Sequence, residues 1–168
     1  WSDLEKKFEK AKNYKLKTKL WMGGQWSGLS RAPKDPLRRG KTSESEKSLK
    51  DTGIKITNIP DNFNLHPKLQ KFNNARIKAI KTGKGIDWSF AEALAIGSLL
   101  KEGYQVRLAG QDSGRGTFSQ RHSVFYDQKT EERYIPLNNI SKKQKEFEIV
   151  DSFLSELGVL GFEYGYSL

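Results

Sequence analysis

The segment GQDSGRGTFSQRH, from Gly110 to His122, places side chains that can bind ligands or transfer protons among three glycines. Its amide, carboxylate, guanidinium and imidazole groups belong to Gln111, Asp112, Arg115, Arg121 and His122. The segment follows a predicted strand, and ligands of open α/β sheets bind beyond the carboxyl ends of the strands. These features favour a binding site or an interface, with an ordinary surface loop as the alternative.

A second candidate is Glu156, which follows Ser155 near the end of the sequence. Ser155 can cap a helix, which places Glu156 in the first helical turn, where the helix dipole favours the carboxylate. Burial among apolar neighbours would instead favour the protonated acid. These neighbours are Leu154, Leu157, Leu160 and Phe162. The pattern predicts an acid that can share a proton with a ligand nitrogen, and a plain helix-terminal glutamate is the alternative.

Other kinds of site find little support in the sequence. The absence of cysteine excludes disulfides, thiolate metal sites and cysteine nucleophiles. His66 and His122 are too far apart in sequence for the usual spacing of metal ligands, so no metal site is predicted. His66 precedes a proline and is expected to form a structural hydrogen bond at a helix entrance. The 110–122 segment has neither the G-x-G-x-x-G spacing nor a terminal GK[ST], so it is not a dinucleotide or Walker A loop.

Two consecutive segments carry complete signals for the start and the end of a helix. The first has Pro67 in its first turn and Gly83 after its end. The second has Asp87 as N-cap and Gly103 as its stop. Apolar residues surround the second helix on nearly all sides, which predicts that it is buried, with Gly97 allowing a close approach.

Weaker signals predict two helices nearer the start of the chain. Residues 3–20 are rich in lysine and have a helical stripe of apolar residues. Further on, Ser43 and Glu46 have the spacing of a capping box, and Gly53 is the predicted stop of a short helix.

The strand signals complete an α/β pattern. Residues 105–110 and 147–152 are predicted strands, and residues 128–130 are the predicted turn of a hairpin between them. A helix, strand, hairpin, strand and helix in this order indicate an open, mostly parallel sheet flanked by helices.

Charge is distributed unevenly along the 168 residues. The net charge is +10, but residues 1–60 contain 15 Lys and Arg against 7 Asp and Glu. A basic front part suggests an arm and leaves nucleic-acid binding as an alternative, although no stacking motif accompanies it. No signal peptide or membrane-spanning run is predicted. The start at Trp1 and the end in an apolar segment predict a fragment of a longer protein.

Four stretches together resemble a known enzyme family. They are GIDWSFAEALAIGSLLKEG, VRLAGQDSGRGTFSQRHSVFYDQKT, YIPLNNI and DSFLSELGVLGFEYGYS. They are similar to the thiamine-diphosphate-dependent first component of the 2-oxoglutarate dehydrogenase complex. The similarity runs from about Ile54 to Leu168, and more loosely through the front part. The family usually has proline where this chain has Phe153, which puts the local geometry of the helix entrance in question.

The resemblance implies a transketolase-like fold in two parts. Residues 1–55 would be a basic connector, and residues 56–168 would be the first part of the domain that binds the cofactor's aminopyrimidine. The domain that holds the diphosphate through magnesium would precede this chain, so the fragment alone is expected to be inactive.

The resemblance also implies residue roles. In this family, a glutamate at the position of Glu156 bonds the pyrimidine nitrogen and promotes activation of the cofactor. Leu154 would flank the pyrimidine, and Gln111 and Asp112 would lie near the cofactor. Arg121 and His122 would contact the substrate or an interface.

The implied activity is decarboxylation of 2-oxoglutarate and transfer of the succinyl group to lipoamide in the tricarboxylic acid cycle. A dehydrogenase for a related 2-oxo acid of the 2-oxoadipate type is the alternative. The implied partners are the rest of the polypeptide, a second copy in a homodimer and the lipoyl-bearing succinyltransferase, with no nucleic acid and no membrane. The implied location is the bacterial cytoplasm, or the mitochondrial matrix in a eukaryote, with the bacterial source favoured.

Overall fold

A computed structural model of the chain describes residues 1–15, 40–152 and 155–167. The chain divides into two compact units, one of residues 41–159 and one of residues 1–40 with 160–168. The first helix, α1 (Ser2–Lys12), has no buried residue. It ends well before residue 20, and residues 16–20 of the predicted helix lie outside the described residues.

Helix α2 (Glu46–Thr57) begins and ends differently from the prediction. Its N-cap is Ser45, whose hydroxyl accepts a hydrogen bond from the Ser48 N–H at 3.2 Å, so the predicted capping role of Ser43 is wrong. Gly53 does not stop the helix but lies buried within it. A Cβ at Gly53 would come within 2.6 Å of the Ile80 side chain, so the glycine permits close packing instead. The predicted domain boundary at residues 55 and 56 falls inside this helix.

Helices α3 (Pro67–Thr82) and α4 (Trp88–Glu102) confirm the predicted start and stop signals. Asp87 accepts a hydrogen bond from the Phe90 N–H at 2.7 Å, which satisfies a donor in the first turn of α4. Gly83 and Gly103 end the two helices with φ of 67° and 95°, a left-handed conformation that favours glycine. None of the helices in the described ranges is both long enough and apolar enough to cross a membrane.

The strands form two small sheets. Strand β1 (Val106–Gly110) pairs in parallel with β4 (Phe147–Asp151), so that Gly110 lies opposite Asp151. Strands β2 (Phe125–Tyr126) and β3 (Arg133–Tyr134) form the predicted antiparallel hairpin. A short 3₁₀ helix (Pro136–Asn139) precedes β4, and α5 (Glu156–Tyr166) follows it. The α/β class with a parallel sheet is therefore confirmed.

The core of the 41–159 unit lies where α2, α3 and α4 pack with the strands and the 3₁₀ helix. Its most enclosed side chains are Phe90, Phe125, Phe147, Leu100 and Thr52. A Cβ on Gly97 would lie 2.6 Å from the Thr52 methyl carbon, so the predicted close approach at Gly97 is confirmed.

Asp127 ties the hairpin to the segment before α3. Its carboxylate accepts hydrogen bonds from the Asn64 N–H at 2.6 Å and from the Lys129 and Thr130 N–H groups. These bonds, with that of Asn64 the strongest influence, hold the pKa of Asp127 well below its usual range. The ionised form of Asp127 therefore stabilises the connection between the two segments.

Candidate functional site

The glycine-rich loop of residues 111–122 is anchored at the carboxyl ends of the two parallel strands. The Gly114 N–H donates to the Asp151 carboxylate at 2.8 Å, and the Ser152 N–H donates to the Gly110 carbonyl at 2.8 Å. The Ser123 N–H then donates to the Gly114 carbonyl at 2.8 Å, which closes the loop on itself. Strand pairing thus places the loop at the sheet edge where α/β proteins bind ligands.

A cleft of about 450 Å³ lies beside this loop. Its polar lining includes His66, Lys68, Arg115, His122 and Asp151. The two histidines, 56 positions apart in the sequence, therefore face one cavity. Basic groups outnumber the single carboxylate in this lining, and that carboxylate is bonded to the loop, so the cleft is suited to an anionic ligand.

The side chain of Arg121 is held by hydrogen bonds to Glu92 and to the Ser113 carbonyl. Its guanidinium Nε donates to Glu92 Oε1 at 2.6 Å and its Nη2 to Glu92 Oε2 at 3.4 Å, a fork of two contacts to one carboxylate. Its Nη1 donates to the Ser113 carbonyl at 3.0 Å. The side chain of Arg121 joins α4 to the loop and does not line the cleft.

Asp112 and Arg115 form an exposed ion pair with an N–O distance of 2.6 Å. Hydrogen bonding to Arg115 is the main reason that the pKa of Asp112 lies below its usual range. Asp112 has a φ of 54°, a left-handed conformation that turns the chain after β1. Gln111 is exposed beside it, and neither Gln111 nor Asp112 lines the cleft.

His122 borders the cleft in a strained backbone conformation, with a φ of 45°. Its ring meets the Phe72 ring edge-on, with centroids 5.3 Å apart and an angle of 70° between the planes. Burial lowers the pKa of His122, as do the nearby charges of Arg76 and Arg115, while a backbone hydrogen bond at Ser119 and the Asp112 charge raise it. The net shift favours a neutral imidazole, which can both donate and accept a hydrogen bond.

Glu156 occupies the first turn of α5, as predicted. The Val159 N–H donates to the Ser155 carbonyl at 3.0 Å, which places Ser155 at the start of the helix. Glu156 is exposed, and α5 has no buried residue. Leu157 and Leu160 are 82% and 68% exposed, so in this structure they do not bury Glu156 as the sequence suggested. Leu154 lies outside the described residues.

Several residues around the loop are not predicted by the sequence reasoning. Asp151 is the second-to-last residue of the predicted strand 147–152, and that position could have suggested a place in the site. The structural hydrogen bond predicted for His66 is confirmed, because its Nδ1 accepts from the Lys68 N–H at 3.2 Å, but its place on the cleft is not predicted. Glu92 and Arg76 give no local signal. Among the residues that the structure describes, no group of three or more His, Cys, Asp or Glu could hold a metal ion.

Part of this chain matches the model of a known protein family. The family model described as "Transketolase, pyrimidine binding domain" matches residues 84–168, half of the chain. The chain belongs to this family. Strands β1 and β4, the glycine-rich loop and helix α5 are therefore elements of a transketolase pyrimidine-binding domain.

Curated relatives extend the similarity to nearly the whole chain. The "2-oxoglutarate dehydrogenase E1 component" of Brucella anthropi is 52% identical over 167 residues, which cover 99% of this chain and 17% of the relative. Proteins of the same name from Brucella canis and Brucella suis are 51% identical over 166 residues, 98% of this chain and 16% of each relative. The chain thus spans about a sixth of the length of these relatives.

Proposed function

We propose that the full-length protein containing this chain is a thiamine-diphosphate-dependent 2-oxoglutarate dehydrogenase. It decarboxylates 2-oxoglutarate and transfers the succinyl group to lipoamide, a step of the tricarboxylic acid cycle. The observation that carries the proposal is the identity of 52% over 99% of the chain to a relative named for this activity. Membership of the transketolase pyrimidine-binding family supports the choice of cofactor.

Glu156 is the proposed catalytic residue. Thiamine diphosphate supplies an acidic thiazolium carbon and an electron sink for the decarboxylation of 2-oxo acids. The residues present fit the aminopyrimidine half of this cofactor. An exposed carboxylate in the first turn of α5 can share a proton with a ring nitrogen, and the exposed Leu157 beside it offers an apolar contact. Glu156 would hold this proton and thereby set the protonation state of the pyrimidine.

The loop residues have distinct proposed roles. Gln111 and Asp112 contact the cofactor together with Leu154. Arg121 and His122 serve the substrate or a subunit interface. The support for His122 is its position on a cleft with a basic lining, because 2-oxoglutarate carries two carboxylates.

The remaining parts of the proposal concern the assembly. Residues 1–55 form a connector, and residues 56–168 begin the pyrimidine-binding domain. A preceding domain holds the diphosphate through magnesium. The enzyme acts as a homodimer with the lipoyl-bearing succinyltransferase in the bacterial cytoplasm, and the Brucella relatives support a bacterial source.

The test is decarboxylation of 2-oxoglutarate by the full-length protein, with ferricyanide as electron acceptor and 2-oxoadipate as the competing substrate. Glu156→Gln is expected to lower kcat at least about 100-fold, within the range typical of general acid–base groups. Thiamine diphosphate binding, followed by fluorescence quenching, is expected to weaken far less. The 168-residue chain alone is expected to show no turnover.

Glu102→Gln is the matched control, because it makes the same change at the end of another helix, α4. It should retain normal turnover. Near-normal turnover of Glu156→Gln would reject the role of this carboxylate, and a preference for 2-oxoadipate would replace the proposed substrate.

A further inference from the structure

Arg76 is a buried cation in the middle of α3. It is 6% exposed, and its Nε has no hydrogen-bond partner among the described residues. Burial lowers the pKa of Arg76 to about 10, although the charges of Asp87 and Glu92 raise it. A guanidinium placed this way costs stability relative to an apolar side chain of similar size. Packing alone therefore does not explain why an arginine occupies this buried position.

The contacts of Arg76 lead to the glycine-rich loop. Its Nη2 donates to the Arg121 carbonyl at 3.1 Å and to the Ser89 hydroxyl at 3.1 Å. Ser89 in turn donates to the Asp87 carboxylate at 2.9 Å, so the N-cap of α4 supports Arg76. Because Glu92 holds the side chain of Arg121, residue 121 is fixed through both its backbone and its side chain.

A second route connects Arg76 to His122. The Arg76 guanidinium lies over the Phe72 ring, 4.2 Å from its centroid, and over the Phe90 ring at 5.2 Å. Phe72 presents its ring to His122. Arg76 thus fixes the peptide that precedes His122 and also the aromatic ring against which the imidazole packs. Both contacts restrain the residue that borders the cleft.

We propose that Arg76 is a positioning residue that holds the imidazole of His122 at the edge of the cleft for the substrate. This inference rests on the proposed function, in which His122 serves the substrate. Arg76 does not line the cleft and acts only through Arg121, Phe72 and its own charge. The charged groups that influence His122 are Arg76 from α3 and Asp112 and Arg115 from the loop.

The test measures the reaction of His122 with diethylpyrocarbonate in the full-length protein. This reagent modifies neutral imidazole, and peptide mass spectrometry gives the rate for each histidine as a function of pH. The limiting rate reports accessibility, and the inflection of the profile reports the pKa. His66 is the internal reference, because it borders the same cleft but lies ten positions before Arg76, at the start of α3.

Arg76→Met removes both the hydrogen bonds and the charge. The inflection for His122 is expected to rise, because the charge of Arg76 is among the influences that lower the pKa of His122, and its limiting rate should also rise at least about threefold. Arg76→Lys keeps a charge but lacks the planar fork, so the limiting rate should rise while the inflection changes less. The profile of His66 should stay unchanged in both variants.

Arg107→Met is the control for the loss of another shielded arginine, one that pairs with Glu148 across the β1–β4 sheet. It should leave the His122 profile unchanged. An unaltered His122 profile in both Arg76 variants would overturn the inference, and so would equal changes at His66, which would indicate general loosening. If Arg76→Met does not fold, Arg76→Lys decides the question by the same criteria.

Kinetics separate this inference from the proposed function. His122→Asn is expected to raise the KM for 2-oxoglutarate, and the Arg76 variants should raise it in the same direction. If His122→Asn leaves KM and kcat unchanged, the substrate role proposed for His122 is wrong. Arg76 then does not hold His122 for the substrate. The reaction rates with diethylpyrocarbonate still show whether Arg76 holds the imidazole.

Discussion

Gly97 is a point of close approach between α2 and α4, and adding one methyl group there tests the packing of the core. In Gly97→Ala, the new Cβ would lie 2.6 Å from the Thr52 methyl carbon and 3.0 Å from Ile140 Cδ1. Carbon atoms pack best at about 3.5–4.0 Å, so the first contact overlaps by about 1 Å. Thr52 is fully buried and has little room to move.

The expected effect is a difference between two opposing contributions. Overpacking in a well-packed core costs about 1–3 kcal/mol. Replacing glycine by alanine within a helix gains about 1 kcal/mol. We therefore expect Gly97→Ala to lower the stability of this region by about 1 kcal/mol, whereas the same exchange at an open helix position would raise it.

A double-mutant cycle with Thr52→Ser isolates the overlap. Serine removes the methyl group that the new Cβ would meet and keeps the hydroxyl, which accepts a hydrogen bond from Lys101 Nζ at 3.3 Å. Thr52→Ser alone should cost about 1 kcal/mol, because it removes a buried methyl group. The double variant should be more stable than the sum of the single effects by about 1–2 kcal/mol.

Hydrogen exchange with mass spectrometry, in peptides from α2 and α4 of the full-length protein, measures this coupling. It gives the free energy of local opening and does not require the whole protein to unfold in one step. A Gly97→Ala protein as stable as the parent would refute the predicted overlap. Additive effects of the two substitutions would show that Thr52 is not the residue against which the methyl group packs.

Two further predictions concern polar contacts. Because the folded-state pKa of Asp127 is lowered, mainly by the Asn64 N–H, its contribution is present above its unfolded pKa of about 3.9 and is lost as the pH falls below it. Urea unfolding between pH 7 and pH 3 should therefore show a smaller loss of stability for Asp127→Asn than for the parent, and parallel curves would contradict this. Ser45→Ala should destabilise α2 by about 1 kcal/mol, measured as the free energy of local opening by hydrogen exchange. Ser43→Ala should have no effect, and equal effects of the two substitutions would contradict the cap seen in the structure.

The parts of the fold that the sequence predicts well are those with local causes. Helices α3 and α4 are bounded by proline, aspartate and glycine signals that act within one turn, and both were predicted with their caps. The prediction that Gly53 stops the helix is wrong, because a glycine that ends a helix and a glycine that packs against a neighbouring helix look alike in the sequence. Only the position of Ile80, on another helix, distinguishes them.

Prediction of the candidate site from the sequence has the same limit, because only local signals can be recognised. The loop and Glu156 stand out because their residue types are unusual for their positions. The residues that hold the loop in place do not stand out in the sequence, because Arg76 and Glu92 contact Arg121 from 45 and 29 positions away. An arginine or a glutamate on a helix is common, and only tertiary packing shows that these two residues hold a loop.

The hydrogen bond from Gly114 to Asp151 also bears on the order of events during synthesis. It joins residues 37 positions apart, so the loop cannot acquire its anchor until the last residue of β4 has been made. At about 5–20 residues per second, the ribosome needs about two to seven seconds to add that stretch. The loop can therefore close, and the cleft beside it form, only after β4 has been made and has paired with β1.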